Sequence, residues 1–358
     1  MKWSHLLSTG LAVVLWDLPL QAVTTPAAIS LPCPLSSGWE VARQLELPRR
    51  NAAGKPIGGF SASYYDGALD SLWLLSDLPS GTVTRWGGLA AGAAPFLLEQ
   101  IPLRSGPGRP LPASIDGEGL VHLAGQWWVA SEGRRSPERP PQLFRFNAPG
   151  GTLLDAFDLP EAWRPGEGSG LASNGGPESL LLLPRTDRGQ APSLLMASEH
   201  PLLQDPHRQV RLLRWSWPAG TNPLQAAPSP TPHGALLLPR GDGWGLTDLL
   251  APGPGQLLGL LRRFEPPDRW QIRLALYPLP AAGSIGAAAP LAEWELIAAG
   301  LPPDNWEALS QGPPLPDGRP TLLLVSDDNL SPLQANRLAL LIPRDRCTSM
   351  APAVEQQG

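Results

Sequence analysis

The sequence predicts an all-β protein: a single β-propeller of five to six four-stranded blades, its ring closed by pairing N- and C-terminal strands. Three observations point there. The chain carries 45 prolines and 38 glycines spread along its length, which leaves little room for long helices. Short apolar runs that end on serine plus an acid recur. The units containing them start roughly 60 residues apart, the length of a four-stranded blade with its loops.

The repeated endings are Leu74-Leu75-Ser76-Asp77, Val129-Ala130-Ser131-Glu132, Met196-Ala197-Ser198-Glu199 and Leu324-Val325-Ser326-Asp327. Each follows a second apolar run, beginning at Ser61, Glu118, Glu178 and Glu307 respectively. A weaker fifth copy runs from Thr247-Asp248-Leu249 to Leu260-Leu261-Arg262-Arg263. The midpoint of each pair of marks falls on or beside turn-forming residues, among them Asp66-Gly67, Gly125, Gly189, Gly255 and Asp317-Gly318. A hairpin turns at its centre, and turns select Gly, Pro and Asp. Each unit therefore reads as two antiparallel strands whose outer ends lie side by side.

Further strands follow within the units. Leu143-Phe144-Arg145-Phe146, Val210 to Trp215 and Ile272 to Tyr277 alternate with period two. The last unit runs out after Asn336 to Ile342, so Trp39 to Leu47 is expected to supply its missing strand. That closure places Cys33 and Cys347 beside one seam. A bridge between them would close a very long loop, worth about 5 kcal/mol in the chain-entropy model. A β-sandwich, or two smaller β domains, is the alternative architecture. If there is a sixth blade, it falls in residues 200–245 or 264–300.

The N-terminus has the features of an export signal over residues 1–22: Lys2, the apolar run Leu11 to Trp16, and a small-residue site at Leu20-Gln21-Ala22, with Asp17 interrupting. A buried N-terminal strand is the other reading. Residues 23–37 form a lead-in, 38–347 the propeller and 348–358 a flexible tail, in a periplasmic or extracellular protein read as a monomer. No run reaches the roughly 18 apolar residues of a membrane-spanning helix. Net charge is −5 with no basic cluster, which argues against nucleic acid as a partner.

If the hairpins stand radially, their shared ends gather acids on one face: Glu118, Glu178, Glu307, Glu132, Glu199, Asp77 and Asp327, with Asp116, Asp328 and Asn329 close by. Hard oxygen donors from several blades suit Ca²⁺. Glu118, Glu178, Glu307, Asp77, Asp328 and Asn329 are the expected metal ligands. Glu132, Glu199 and Asp327 serve as further ligands or general base, and Arg134, Arg262 and Arg263 hold the anionic group of a small ester substrate. A plainer reading exists, because a Ser-acid pair ending a strand often caps the next turn. Acids are disfavoured inside strands, so Glu118, Glu178 and Glu307 are harder to explain that way. His200, beside Glu199, is the histidine placed for proton transfer; His122 and the tryptophans read as packing residues. Serine-hydrolase, zinc-protease and phosphate-loop signatures are absent from the sequence.

At these motifs the chain resembles the phytase-like propeller family, labelled "esterase-like activity of phytase". The matching pieces are Gly58-Gly59-Phe60-Ser61 with Ser76-Asp77, Asp116-Gly117-Glu118-Gly119 with Ser131-Glu132, Asn174-Gly175-Gly176-Pro177-Glu178 with Ser198-Glu199, and Asn305-Trp306-Glu307-Ala308 with Ser326-Asp327-Asp328-Asn329. The resemblance implies an exported propeller related to calcium-dependent phytases that hydrolyse phosphate esters. The chain departs from the family pattern at Arg262-Arg263, where the family tends to carry Glu-Arg, and at Gly176-Pro177-Glu178-Ser179. A metal-assisted hydrolase of phosphate or carboxylic esters is the leading expectation. A non-catalytic ligand- or protein-binding propeller and a structural envelope protein are the others.

Overall fold

The structure is a computed structural model that describes residues 29–345 apart from 80, 91, 134, 135, 137, 186–189 and 285. The signal-peptide assignment, the C-terminal tail, Arg134 and Cys347 therefore lie outside the described residues. Within them the strands are β1 (Trp39–Glu46), β2 (Phe60–Asp66), β3 (Ser71–Ser76), β4 (Thr82–Gly87), β5 (Phe96–Pro102), β6 (Gly117–Leu123) and β7 (Gln126–Ser131). Next come β8 (Gln142–Asn147), β9 (Thr152–Asp158), β10 (Pro177–Leu182), β11 (Ser193–Ser198), β12 (Gln209–Ser216), β13 (Ser229–Leu237) and β14 (Trp244–Leu250). The chain ends with β15 (Gln256–Glu265), β16 (Arg269–Pro278), β17 (Ala287–Ala288), β18 (Ala292–Glu295), β19 (Trp306–Gly312), β20 (Thr321–Ser326) and β21 (Arg337–Pro343).

These strands form five antiparallel four-stranded blades, in the orders β2-β3-β4-β5, β6-β7-β8-β9, β10-β11-β12-β13, β14-β15-β16-β18 and β19-β20-β21-β1. The third blade carries the two-residue β17 as an extra parallel edge. Inner strands β2, β6, β10, β14 and β19 touch in that order and back to β2, closing the ring. Residues 200–245 and 264–300 complete the third and fourth blades, so the count is five and no sixth blade fits there. The expected closure holds: β1 pairs antiparallel with β21, from Trp39 opposite Pro343 to Glu46 opposite Arg337.

Why the middle strands read as unbroken apolar runs is visible in the packing. Each is covered on both faces by neighbouring blades, so both sets of alternate side chains are buried. In β11, Leu194 and Met196 join the core between the second and third blades, while Leu195 and Ala197 join the core between the third and fourth. In β20, Leu322 and Leu324 face the fourth blade, and Leu323 and Val325 face the first. The core is thus five interblade clusters. Trp86, Trp127, Trp128, Trp215 and Trp306 are fully buried.

Four of the hairpins turn where the midpoints fall, and the third midpoint, at Gly189, lies outside the described residues. Asp70 (φ 43°), Gly125 (φ 76°), Gly255 (φ 74°) and Gly318 (φ 79°) adopt the left-handed conformation that these turns need. The ring is narrowest at the inner strands. A Cβ on Gly119 of β6 would lie 2.7 Å from the backbone nitrogen of Leu180 in β10, so only glycine allows that approach.

Candidate functional site

All five inner strands carry the same irregularity. In the pairing of each with its neighbour, one residue is left over: Ser61, Glu118, Glu178, Thr247 and Glu307. A bulge of this kind leaves the extra residue outside the ladder and re-aims its side chain. The acids that looked misplaced within strands are therefore bulge residues.

The second strands supply the other half. The residue paired just before each bulge is Ser76, Ser131, Ser198, Leu261 or Ser326. The next residue is then Asp77, Glu132, Glu199, Arg262 or Asp327. In four blades its amide donates across to the inner strand's lead-in: Asp77 to Gly59 O (2.8 Å), Glu132 to Asp116 O (3.0 Å), Glu199 to Gly176 O (2.9 Å) and Asp327 to Asn305 O (2.8 Å). Three of the four serines take the turn-bracing role: Ser76 Oγ donates to Gly58 O at 2.8 Å, Ser326 Oγ to Ala335 O at 2.6 Å, and Ser131 Oγ to Ile115 O. Ser198 Oγ is buried without a hydrogen-bond partner among the described residues. In those three blades the Ser-acid mark is thus two devices, a serine that fixes backbone and an acid beside the axis.

Glycine in the next blade makes room for these acids. A Cβ on Gly176 would lie 2.2 Å from Glu132 Cγ, and one on Gly245 would lie 2.4 Å from Glu199 Oε1. The Gly176 amide donates to Glu132 Oε1 at 3.0 Å.

The acids form one electrostatic group. The carboxyl of Glu118 is held well above the usual range, first by burial, then by Glu307, Asp77, Glu132 and Asp116. Glu178 is raised likewise by burial, then by Glu118, Glu199, Glu132 and Glu307. Asp327 is pushed up to about 8 by burial, Glu307 and Asp77, against the opposing effect of the Asn329 amide. One carboxylate oxygen each from Asp77, Asp116 and Glu118 lies within 4.8 Å of the others. Calcium–oxygen bonds of about 2.4 Å put ligands up to ~5 Å apart across the ion, so these three oxygens fit around one cation. Glu118 and Glu178 are over nine-tenths buried, yet neither makes a hydrogen bond or ion pair to another described residue.

On the side of the fourth and fifth blades a fixed cation lies among the acids. Glu307 accepts from Ser61 Oγ (3.0 Å), Asn305 Nδ2 (2.9 Å) and Arg262 Nη1. Arg262 Nη2 also donates to Glu199 Oε1 at 3.1 Å, and Nη1 to Asn305 Oδ1. Burial works against the charge on Arg262, but Glu307, Glu199 and Glu178 together hold it more firmly protonated than a free arginine. The expected anion-binding role of Arg262 thus meets a guanidinium turned onto this chain's own acids. His200 Nδ1 lies 3.1 Å from Trp244 O, and its Nε2 lies 3.2 Å from Glu199 Oε2. A carbonyl only accepts, so Nδ1 carries a proton.

Other expected residues stand apart from the group. Asp328 accepts from Arg49 Nε (3.0 Å), Gly59 N (3.1 Å) and Leu330 N (3.2 Å), sealing the first blade to the last. Asn329 is exposed and donates to Gln334 Oε1 at 3.3 Å. Arg263 pairs with Glu265. Sequence reasoning passed over Asp248, one residue beyond the fourth bulge. Its oxygens accept Leu309 N (2.7 Å) and Leu249 N (2.8 Å), and burial raises its carboxyl well above the usual range.

Fold and site together define a five-bladed propeller with an acidic cluster, drawn from bulges and strand ends of four blades, at one end of its axis. A family model described as "Phytase-like: Esterase-like activity of phytase" matches residues 55–330, and the chain belongs to that family. No protein of curated function matches it. Among solved structures it is similar to an alpha-L-arabinofuranosidase from Clostridium thermocellum, at 10% identity over 78% of this chain and 88% of that one, TM-score 0.40. It is also similar to a putative 6-phosphogluconolactonase from Bacteroides uniformis (12% identity, 77% and 80%, TM-score 0.38) and to the Pan2 WD40 domain of Neurospora crassa (8%, 87% and 97%, 0.36). Likenesses at these scores carry no argument about function. Among the described residues, no helix is long and apolar enough to cross a membrane.

Proposed function

We propose that the chain is a cation-assisted hydrolase of phosphate or carboxylic esters that works at the acidic end of its propeller axis. One observation carries this reading: Glu118 and Glu178 are buried beside Asp77, Asp116 and Glu132 without a hydrogen bond or ion pair to another described residue. Carboxylates crowded this way either stay protonated or hold a cation. Asp77, Asp116 and Glu118 would hold the ion, with Glu178 alongside, and the all-oxygen donor set favours Ca²⁺. When bound, it supplies Lewis-acid polarisation of a substrate oxygen and lowers the pKa of a coordinated water. On the protein's side, Glu132 and Glu178 line the approach, and Asp327 can exchange a proton near neutral pH. Glu199, held by Arg262 and facing His200, positions those two groups.

A second reading has its own observation. Glu199 and Glu307 are engaged by Arg262 and Ser61, so the cluster also suits a non-catalytic propeller that binds its ligand through the ion. Export is part of the proposal. The Cys33 amide donates to Asp345 O at 3.3 Å, which supports pairing of Cys33 with Cys347 two residues further on, in an oxidising compartment.

The test has two parts. Protein stripped by chelator is melted with and without added Ca²⁺, and generic phosphate and acyl esters are assayed with wild type and Glu178→Gln. A rise in Tm with Ca²⁺, and hydrolysis lost in Glu178→Gln, is expected. A Ca²⁺-dependent Tm without hydrolysis selects the binding reading, and no Ca²⁺ effect on either removes the metal.

A further inference from the structure

The fourth blade breaks the pattern at one position. Register places Arg262 where the other four blades carry Asp77, Glu132, Glu199 and Asp327. A local departure in sequence would be expected to leave a hole in the acidic ring. Instead the guanidinium reaches both ways along it, to Glu199 of the third blade and Glu307 of the fifth. It also meets Asn305 Oδ1, whose Nδ2 continues to Glu307 (2.9 Å) and Asp327 (3.3 Å). Arg262 is largely buried, with 18% of its side chain exposed.

The consequence is an asymmetric ring. On the side of the first to third blades, Asp77, Asp116 and Glu118 bring three oxygens within reach of one ion, and Glu178 makes no hydrogen bond or ion pair to another described residue. On the side of the fourth and fifth blades, one fixed positive charge already lies between two glutamates. A guanidinium offers planar, permanently charged donors to carboxylates, and in a buried site it meets the same electrostatic need as a bound cation.

We propose that Arg262 is a tethered counter-ion that occupies the place of a divalent cation between Glu199 and Glu307, so that it sets the number of ions the propeller can hold. The cation reading above supplies the remaining site. Removing the guanidinium, while leaving Glu199, Glu307 and Asn305 in place, opens a second oxygen-rich site. Neither an additional ion nor its location depends on whether the protein hydrolyses anything.

The experiment counts Ca²⁺ per chain by equilibrium dialysis with elemental analysis, on full-length wild type, Arg262→Gln, Arg262→Glu and Arg262→Lys. Arg262→Gln and Arg262→Glu are each expected to bind one Ca²⁺ more than wild type; Arg262→Lys, which keeps a cation, binds the wild-type number. Adding Glu199→Gln to Arg262→Gln removes the extra ion. Circular dichroism and melting in Ca²⁺ confirm that each variant is folded. Where Arg262→Glu does not fold in chelator, its recovery on adding Ca²⁺ supports the proposal, and Arg262→Gln still decides the count. Equal counts in wild type and a folded Arg262→Gln overturn it. The comparison is between variants, so it stands apart from the cation reading: a wild type that binds no Ca²⁺ refutes that reading, and a gain of one ion in Arg262→Gln would still uphold the role of Arg262.

Discussion

Asparagine at position 327 probes how much the acidic cluster costs the folded protein. The Asp327 carboxyl moves from an ordinary 3.8 to about 8 on folding, through burial first and then Glu307 and Asp77. The folded state therefore keeps a proton that the unfolded chain gives up. Stability from this group is complete below pH ~4 and is lost as pH rises through ~8. At ~1.4 kcal/mol per pH unit, raising the pH from 5 to 8 removes ~4 kcal/mol. Asp327 is 2% exposed, so solvent screening reduces this little. With an unfolding entropy near 2 cal/mol/K per residue, a domain of about 300 residues converts that loss to ~6 °C in Tm. Asp327→Asn keeps an oxygen for the Asn329 amide, which now donates to Asp327 Oδ1 at 2.7 Å, and has no proton to lose. The assay is differential scanning calorimetry of both proteins in chelator from pH 5 to 8. The wild-type Tm should fall ~6 °C further than that of the variant. Parallel curves would refute the argument, because they would mean that Asp327 ionises freely in the fold.

Three more outcomes follow from particular contacts. Gly176→Ala sets a methyl 2.2 Å from Glu132 Cγ and 2.8 Å from its Cα; overpacking of this kind costs about 2 kcal/mol, so Tm should drop ~3 °C, and an unchanged Tm contradicts the close approach. Asp248→Ala strands the buried amides of Leu309 and Leu249, which should destabilise by about 3 kcal/mol in urea melts, and a change under about 0.5 kcal/mol denies Asp248 its role of tying the fourth blade to the fifth. Peptide mapping of unreduced, exported protein should recover Cys33 and Cys347 in one linked fragment, and recovery as two free thiols would count against closure by a covalent seam.

The strand-and-turn rhythm was legible in the sequence because it is local. Alternation, apolar runs and turn residues are read within a few positions, and they located the hairpins from Ser61–Asp77 through Glu307–Asp327. Closure by Trp39 to Leu47 was legible too, since an incomplete last unit leaves one strand to be found. The acids were visible as marks, but their roles were not. Asp327 and Asp328 are adjacent and of one type, yet Asp327 sits in the acid cluster while Asp328 binds Arg49 and the Gly59 amide. Asp248 was hidden because its partners, the Leu249 and Leu309 amides, are backbone groups, one of them 61 residues away.

By itself the chain sequence determined that three inner strands open with an acid near Glu118, Glu178 and Glu307 and that four second strands end on one, at Asp77, Glu132, Glu199 and Asp327, since repeat spacing and side-chain chemistry are written residue by residue. Only the tertiary structure decided which acids face one another and which are neutralised. Arg262 lies 63 residues from Glu199 and 45 from Glu307, and Ser61 lies 246 from Glu307. Those pairings exist because the ring closes. A carboxylate's charge state depends on the charges and the burial around it in space, and neither is a local property of the sequence.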